Sequence, residues 1–384
     1  MRKRINVTQP FLPPLSEFME SLEDIWDSKW LTNDGKFHTI LETKLAEFLG
    51  VKYVSLFTNG TLAIMTAMQT LRITGEVITT PYSFVATTHA LYWNGITPVF
   101  VDIDPHTCNI DPNKIVGAIT NKTTAILPVH VYGYPCDVKK IKDISDKFSL
   151  KVIYDAAHAF GVKYENSSLM NWGDLSILSF HATKVFNTFE GGAIISHDLK
   201  TKKRIDQLKN FGFVDEVTVM APGINAKMNE FSSALGLHQL KYYNSNLEKR
   251  RILWQLYKDL LHDIPGITHL EEQENVSHNY SYFPVFIDKN QFGMPRDEVY
   301  QSLKRNKIFS RRYFYPLISQ FQPYSEYLSA RHENLVNAHH VSESVLCLPF
   351  YTDLSEEEVR FVCSKIKELR PAKMIIPGRF SAFR

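Results

Sequence analysis

The sequence predicts an α/β protein: a large, mostly parallel sheet covered by helices on both faces, followed by a smaller α+β unit. Two observations predict it. Short apolar runs alternate with helix-like segments through the first half, and after a long helical stretch the pattern shifts to a few aromatic-rich strands and helices. A chain of 384 residues is also too long for one small core and suits a large domain plus a smaller one.

Taken in order, residues 15–30 carry apolar side chains at helical spacing (Leu15, Phe18, Met19, Leu22, Ile25, Trp26) and end in a polar, turn-forming stretch. A second helix is expected over 39–49, stopped by Gly50. Strands are expected over 51–57, 77–79, 98–103, 125–129, 151–154, 175–180 and 192–196. Helices are expected over 61–71, 114–119 and 138–148. In such a sheet, ligands bind beyond the strand ends, where loops lead into helices. A long helix is expected over 229–264. Beyond it come a strand over 280–287, a helix over 296–304, a strand over 308–314 and a helix over 355–369. The expected division is a large domain over 1–250 and a small one over 251–384, with a basic, loosely ordered tail from 371.

Composition narrows the function. Lys plus Arg number 43 against 41 Asp plus Glu, a net charge of +2, so there is no broad field for nucleic acid or a membrane surface. The four cysteines (Cys108, Cys136, Cys347, Cys363) form no C-x-x-C pair and no metal-spaced cluster; they read as reduced thiols of a cytoplasmic protein, with no metal expected. His339 and His340 read as a polar helix face. No apolar stretch follows the basic residues Met1 to Arg4, and no run reaches the ~18 residues of a spanning helix.

Three local features point to chemistry. Phe57-Thr58-Asn59-Gly60-Thr61 places a small-residue turn between a strand and a helix, where free N–H groups and the helix dipole favour an anion; the plainer alternative is an N-cap by Thr61. Asp155 ends an apolar strand, where active-site groups collect, or else caps a helix. Lys184 lies between two strand-like runs among apolar and small residues. A partly desolvated amine there becomes a nucleophile toward aldehydes, the alternative being an ordinary loop lysine. A phosphate site, a strand-end acid and a lysine, in that order, are the layout of a fold-type-I enzyme dependent on pyridoxal 5′-phosphate (PLP).

The wider motif set resembles the DegT/DnrJ/EryC1/StrS family of nucleotide-sugar aminotransferases over residues 8–369. The markers are Asn59-Gly60-Thr61, Thr80 to Thr87, Phe100 to Asp104, Pro128 to Gly133, Asp155-Ala156-Ala157-His158, Ser179 to Lys184, Glu190 to Ala193, Asn225 to Glu230 and Leu235 to Leu240. The resemblance implies that Lys184 holds the cofactor aldehyde and moves protons, and that Asp155 pairs with the pyridine nitrogen. It implies that Phe84 stacks on the ring, that His158 lies near the ring oxygen, and that Gly60, Thr61 and Ser179 hold the phosphate. Asn225 would reach the phosphate of a second subunit, making a homodimer with shared sites. Where Lys227 stands the family usually has Arg, so a bidentate anion contact is not carried over to that position.

Within the family, the Ser179-Phe180-His181-x-x-Lys184 form and the N-terminal segment resemble the VioA-type branch. The implied reaction moves an amine from L-glutamate to C4 of dTDP-4-dehydro-6-deoxy-D-glucose, for O-antigen lipopolysaccharide. A 3-amino or galacto-configured product is the alternative, and a non-catalytic sensor on the same fold is a rival of another class. A sugar dehydratase is disfavoured, since that branch replaces the lysine by histidine. Candidate sugar contacts are Trp30, Thr32, Asn33, His181, Arg312 and Tyr313, with Arg311 and Tyr315 beside them.

Overall fold

The computed structural model describes residues 4–370; the basic tail expected from 371 lies outside them. The strands are β1 (Tyr53–Phe57), β2 (Glu76–Thr79), β3 (Thr97–Phe100), β4 (Thr123–Leu127), β5 (Lys151–Asp155), β6 (Lys163–Tyr164), β7 (Ser167–Ser168), β8 (Leu175–Ser179), β9 (Gly192–Ser196), β10 (Ile267–His269), β11 (Val276–Ser277), β12 (Pro284–Ile287) and β13 (Val345–Cys347).

Seven of them form one sheet in the order β1-β9-β8-β5-β4-β2-β3. Pairing is parallel from β3 through β2, β4 and β5 to β8, and β9 runs antiparallel to both its neighbours. The central strands are buried along nearly their whole length, as helices on both faces demand, and this is why they read as continuous apolar runs. Every strand except β9 points the same way. The segments after Phe57, Thr79, Leu127, Asp155 and Ser179 therefore emerge along one edge of the sheet, and the candidate residues collect there.

The helix Val138–Phe148 matches its expected bounds. Asp137 caps it by accepting the Lys140 N–H at 3.1 Å, and the chain leaves it through the left-handed Ser149. The long helix Glu230–Leu261 serves two cores. Tyr243 packs into the core of the large sheet, whereas Leu253, Trp254, Tyr257 and Leu261 pack with β12 and the helix Glu356–Glu368. Ile5 joins that second core and bridges to Ile308.

Three expectations are corrected. Residues 308–314 form no continuous strand: Ile308 and Arg311 make single bridges, and the chain then turns, with Tyr315 N–H donating to Arg312 O at 2.7 Å. The strand expected over 280–287 begins only at Pro284. Tyr280 sits at φ 48°, and the Arg250 guanidinium binds the carbonyls of Tyr280 and Ser281 at 2.8 Å each, so these groups are not in a ladder. His339 is buried against His332, with ring centroids 4.2 Å apart, while His340 faces outward; adjacent helical positions cannot share a face.

Candidate active site

The turn after β1 is built for close approach. Asn59, rather than Thr61, caps the helix Gly60–Thr70 by accepting the Leu62 N–H at 2.9 Å. A side chain on Gly60 would stand 3.2 Å from Ser179 Cβ, and one on Gly192 only 2.7 Å from the Asn59 carbonyl carbon. Glycine at both positions lets the ends of β1, β8 and β9 close around the helix N-terminus. Gly60, Thr61 and Ser179 line one side of a cavity of ≈360 Å³ there. Helix N-terminal N–H groups beside a small-residue wall suit a phosphate.

Asp155 ends β5 at the floor of this cavity and is buried. The Thr87 hydroxyl donates to its Oδ2 at 2.7 Å and the Ala157 N–H donates to Oδ1 at 3.1 Å. Burial raises the carboxyl above its ordinary range, and these two neutral donors and Lys184 oppose the rise. Lys184 is half-buried in the loop after β8 and lines the same cavity. Among the described residues its amine has no hydrogen-bond or ion-pair partner. Burial lowers it to about 8, with Asp155 offsetting only part of the effect. An amine so held carries a far larger neutral fraction near physiological pH than an ordinary lysine, and the neutral form is the one that attacks a carbonyl.

His158, also buried, accepts the Tyr132 N–H on Nδ1 at 3.1 Å, which leaves the neutral ring protonated on Nε2. Burial, followed by the nearby Lys184, pushes it well below the usual histidine range. Phe84 lines the cavity with its ring 60% exposed, and so is available to cover a planar ligand. At the rim, His181 Nδ1 meets Thr183 Oγ1 at 2.8 Å and its Nε2 lies 3.5 Å from Glu190. The far wall is Tyr282, Arg311, Tyr313 and Phe314. Its backbone is pinned by the hydroxyls of Tyr82 (2.9 Å) and Tyr132, which both donate to Tyr313 O.

A family model for the DegT/DnrJ/EryC1/StrS aminotransferases matches residues 15–367. The chain belongs to this family. The dTDP-4-amino-4,6-dideoxy-D-glucose transaminase of Escherichia coli is 56% identical over 373 residues, 97% of this chain and 99% of the relative. That of Shigella dysenteriae is 51% identical over 370 residues, 96% of this chain and all of the relative (100%). Among solved structures, DesI in the presence of its TDP-sugar product matches with a TM-score of 0.92 and 33% identity, covering 96% of this chain and 93% of that chain. The family assignment and the aminotransferase fold expected from the motifs both stand.

The fold brings Gly60, Thr61, Phe84, Asp155, His158, Ser179, His181, Lys184 and Tyr313 around one cavity. Trp30, Thr32, Asn33 and Asn225 are exposed and lie outside the cavity of their own chain, as does Arg312. Arg312 pairs with Asp297 at 3.0 Å and sits over the rings of Tyr300 and Tyr315 at 4.9 and 5.0 Å. Sequence reasoning assigned no role to Thr87, Glu190, Tyr282 or Phe314. Thr87 sat within a quoted marker, but its partner lies 68 positions away and no local spacing links them.

Proposed function

We propose that this aminotransferase uses PLP to move an amine from L-glutamate to C4 of dTDP-4-dehydro-6-deoxy-D-glucose, yielding dTDP-4-amino-4,6-dideoxy-D-glucose. The observation that carries the chemistry is the uncommitted Lys184 amine in one cavity with buried Asp155 and the Gly60 helix terminus. The choice of sugar rests on the near-full-length similarity to the two transaminases of that name.

PLP fits the cavity by its chemistry: an amine for its aldehyde, a carboxylate for its ring nitrogen, and a helix N-terminus for its phosphate. When bound, it supplies an electron-accepting ring beside the reacting carbon. The chain's residues do the rest. Lys184 would hold the cofactor and, once freed by the donor's amine, would carry the proton between the donor's α-carbon and the cofactor's reacting carbon, with the direction reversed for the sugar. Asp155, oriented by Thr87 and Ala157, would keep a proton on the ring nitrogen, and Phe84 would cover the ring. His158, with its proton on Nε2, would serve the ring oxygen, and Gly60, Thr61 and Ser179 would hold the phosphate.

Asn225 and the Trp30–Asn33 loop are exposed and lie outside the lining of their own cavity, which supports a homodimer in which each copy completes the other's site. The product is of the kind incorporated into O-antigen lipopolysaccharide, and we assign its synthesis to the cytoplasm. Among the described residues no helix is long and apolar enough to cross a membrane.

The test is incubation of the holoenzyme with L-glutamate and a panel of dTDP- and UDP-linked keto sugars, with NMR of the product. The gluco-configured 4-amino sugar is expected. A 3-amino product or the galacto epimer would overturn the sugar assignment.

A further inference from the structure

The far wall of the cavity holds two adjacent arginines with opposite fates. Arg312 is committed: it is ion-paired with Asp297 and packed over two tyrosine rings. Arg311 lines the cavity, and its guanidinium has no hydrogen-bond, ion-pair or ring partner among the described residues. Its backbone, by contrast, is fixed. Arg311 N–H donates to Cys347 O at 3.0 Å, Cys347 N–H donates back at 2.7 Å, and two residues later Tyr313 O is held by Tyr82 and Tyr132. A free cationic head on a flexible side chain rooted in a fixed backbone is arranged to receive an anion from solvent.

We propose that Arg311 anchors the carboxylate of the amino-acid donor; this rests on the aminotransferase reading and deepens it. The charged side chains around the cavity are Asp155, Glu190, Lys184 and Arg311, with two histidines. Lys184 is consumed by the chemistry, His158 is neutral, and His181 is turned to Thr183 and Glu190. Of this copy's own lining, that leaves one guanidinium to offset a carboxylate drawn into a partly enclosed site, where an unpaired charge is costly. A donor's carboxylate lies one carbon from its reacting amine, so its anchor must share the compact cavity with Lys184, as Arg311 does. The diphosphate of a nucleotide sugar lies a whole pyranose ring away from C4, so it need not occupy the position of the donor's carboxylate. Two substrates with different charge patterns can then use one cavity in turn, because a flexible arginine can swing aside when the neutral sugar enters.

The test uses the PLP-loaded enzyme and its Arg311→Met and Arg311→Lys variants, each half-reaction followed separately through cofactor absorbance. In Arg311→Met the half-saturating L-glutamate concentration is expected to rise roughly 10- to 100-fold, the range of charge-assisted hydrogen bonds. Saturation by dTDP-4-dehydro-6-deoxy-D-glucose and the melting temperature should not move. Arg311→Lys should recover part of the loss, since it keeps the charge without the bidentate fork. Calorimetric binding of 2-oxoglutarate to the amine-loaded enzyme should weaken by a similar factor, a readout independent of turnover. A shift confined to the keto sugar would reassign Arg311 to the diphosphate and overturn the inference. Unchanged glutamate and 2-oxoglutarate constants would make it a surface arginine. If the wild-type absorbance itself ignores glutamate, it is the aminotransferase reading with this donor that fails.

Discussion

Two buried lysine–carboxylate arrangements in this protein behave in opposite ways. Beneath the edge of the large sheet, Glu42 accepts Lys202 Nζ at 2.7 Å, Lys209 Nζ at 3.3 Å and the Leu56 N–H at 3.0 Å. Lys209 also lies 3.1 Å from Asp206. Burial alone would raise Glu42, but the two ammoniums outweigh it and hold the carboxyl at about 2. Burial would lower Lys209, yet Glu42 and Asp206 raise it. In the cavity the balance is reversed: Asp155 is raised and Lys184 is lowered to about 8. The two sites contain the same residue types, with a buried lysine and half-buried carboxylate in one and a buried carboxylate and half-buried lysine in the other. What differs is contact. Glu42 and Lys209 touch each other, so both stay charged and inert. Asp155 spends its lone pairs on the neutral donors Thr87 and Ala157, and Lys184 is left without a partner and with its pKa near the working range.

The sharpest way to break this comparison is at the two lysines. Lys184→Ala should lower turnover by at least about 10,000-fold, since one group both holds the cofactor and moves the proton. Borohydride trapping and peptide mapping should find the cofactor on position 184 of the wild type alone. A label on Lys209, or on any other lysine, would dissolve the distinction between the sites. Asp155→Asn removes the charge but keeps the shape, and should reduce turnover roughly 100- to 1,000-fold with little change in melting temperature.

At the other site the same kind of substitution should act on folding instead. Glu42→Gln leaves Lys202 and Lys209 with only Asp206 between them, and should cost about 3 kcal/mol of stability in urea unfolding, while activity per folded molecule is kept. The pH dependence carries the same sign. With the folded carboxyl depressed from 4.5 to about 2, the stabilisation is full above about 4.5 and is lost as pH falls from there toward 2. The Glu42→Gln variant should lack that segment of the acid-unfolding curve. If the wild type and the variant unfold in parallel across that window, the ion pair contributes nothing.

How much of this was legible follows from range. The central strands and the helix Val138–Phe148 were readable because their signals are local: continuous apolar runs in one case, and a cap with periodic apolar residues in the other. The helix Ala86–Trp93 carries neither signal. No side chain caps it, and its buried residues include the polar Thr87 and Thr88. The stretch from Ile308 looks β-like by composition, but its backbone turns at Arg312 to meet tertiary partners that no local pattern encodes. At the site, Asp155 and Lys184 stood out as residue types unusual for their surroundings. Thr87 acquires meaning only when β2 and β5 come together, and Arg311, offered by the sequence as a sugar-side group, is set against Lys184 only by the pairing of its segment with β13.

Thr87 offers the finest resolution of the comparison, because it changes one contact and no charge. Its hydroxyl is also 2.8 Å from Ser83 Oγ, so it sits in a short relay from the loop to the carboxylate. Thr87→Val preserves shape and removes one donor from Asp155, a loss of about 1 kcal/mol, or roughly fivefold in turnover. The direction in pH is fixed as well. That hydrogen bond lowers the Asp155 carboxyl against the pull of burial, so its loss should let the group rise further, and the acid limb of the kcat profile should move to higher pH. Thr87→Ser should restore both. A Val variant with reduced turnover but an unmoved acid limb would mean that Thr87 merely packs, and that the carboxylate is held by Ala157 alone.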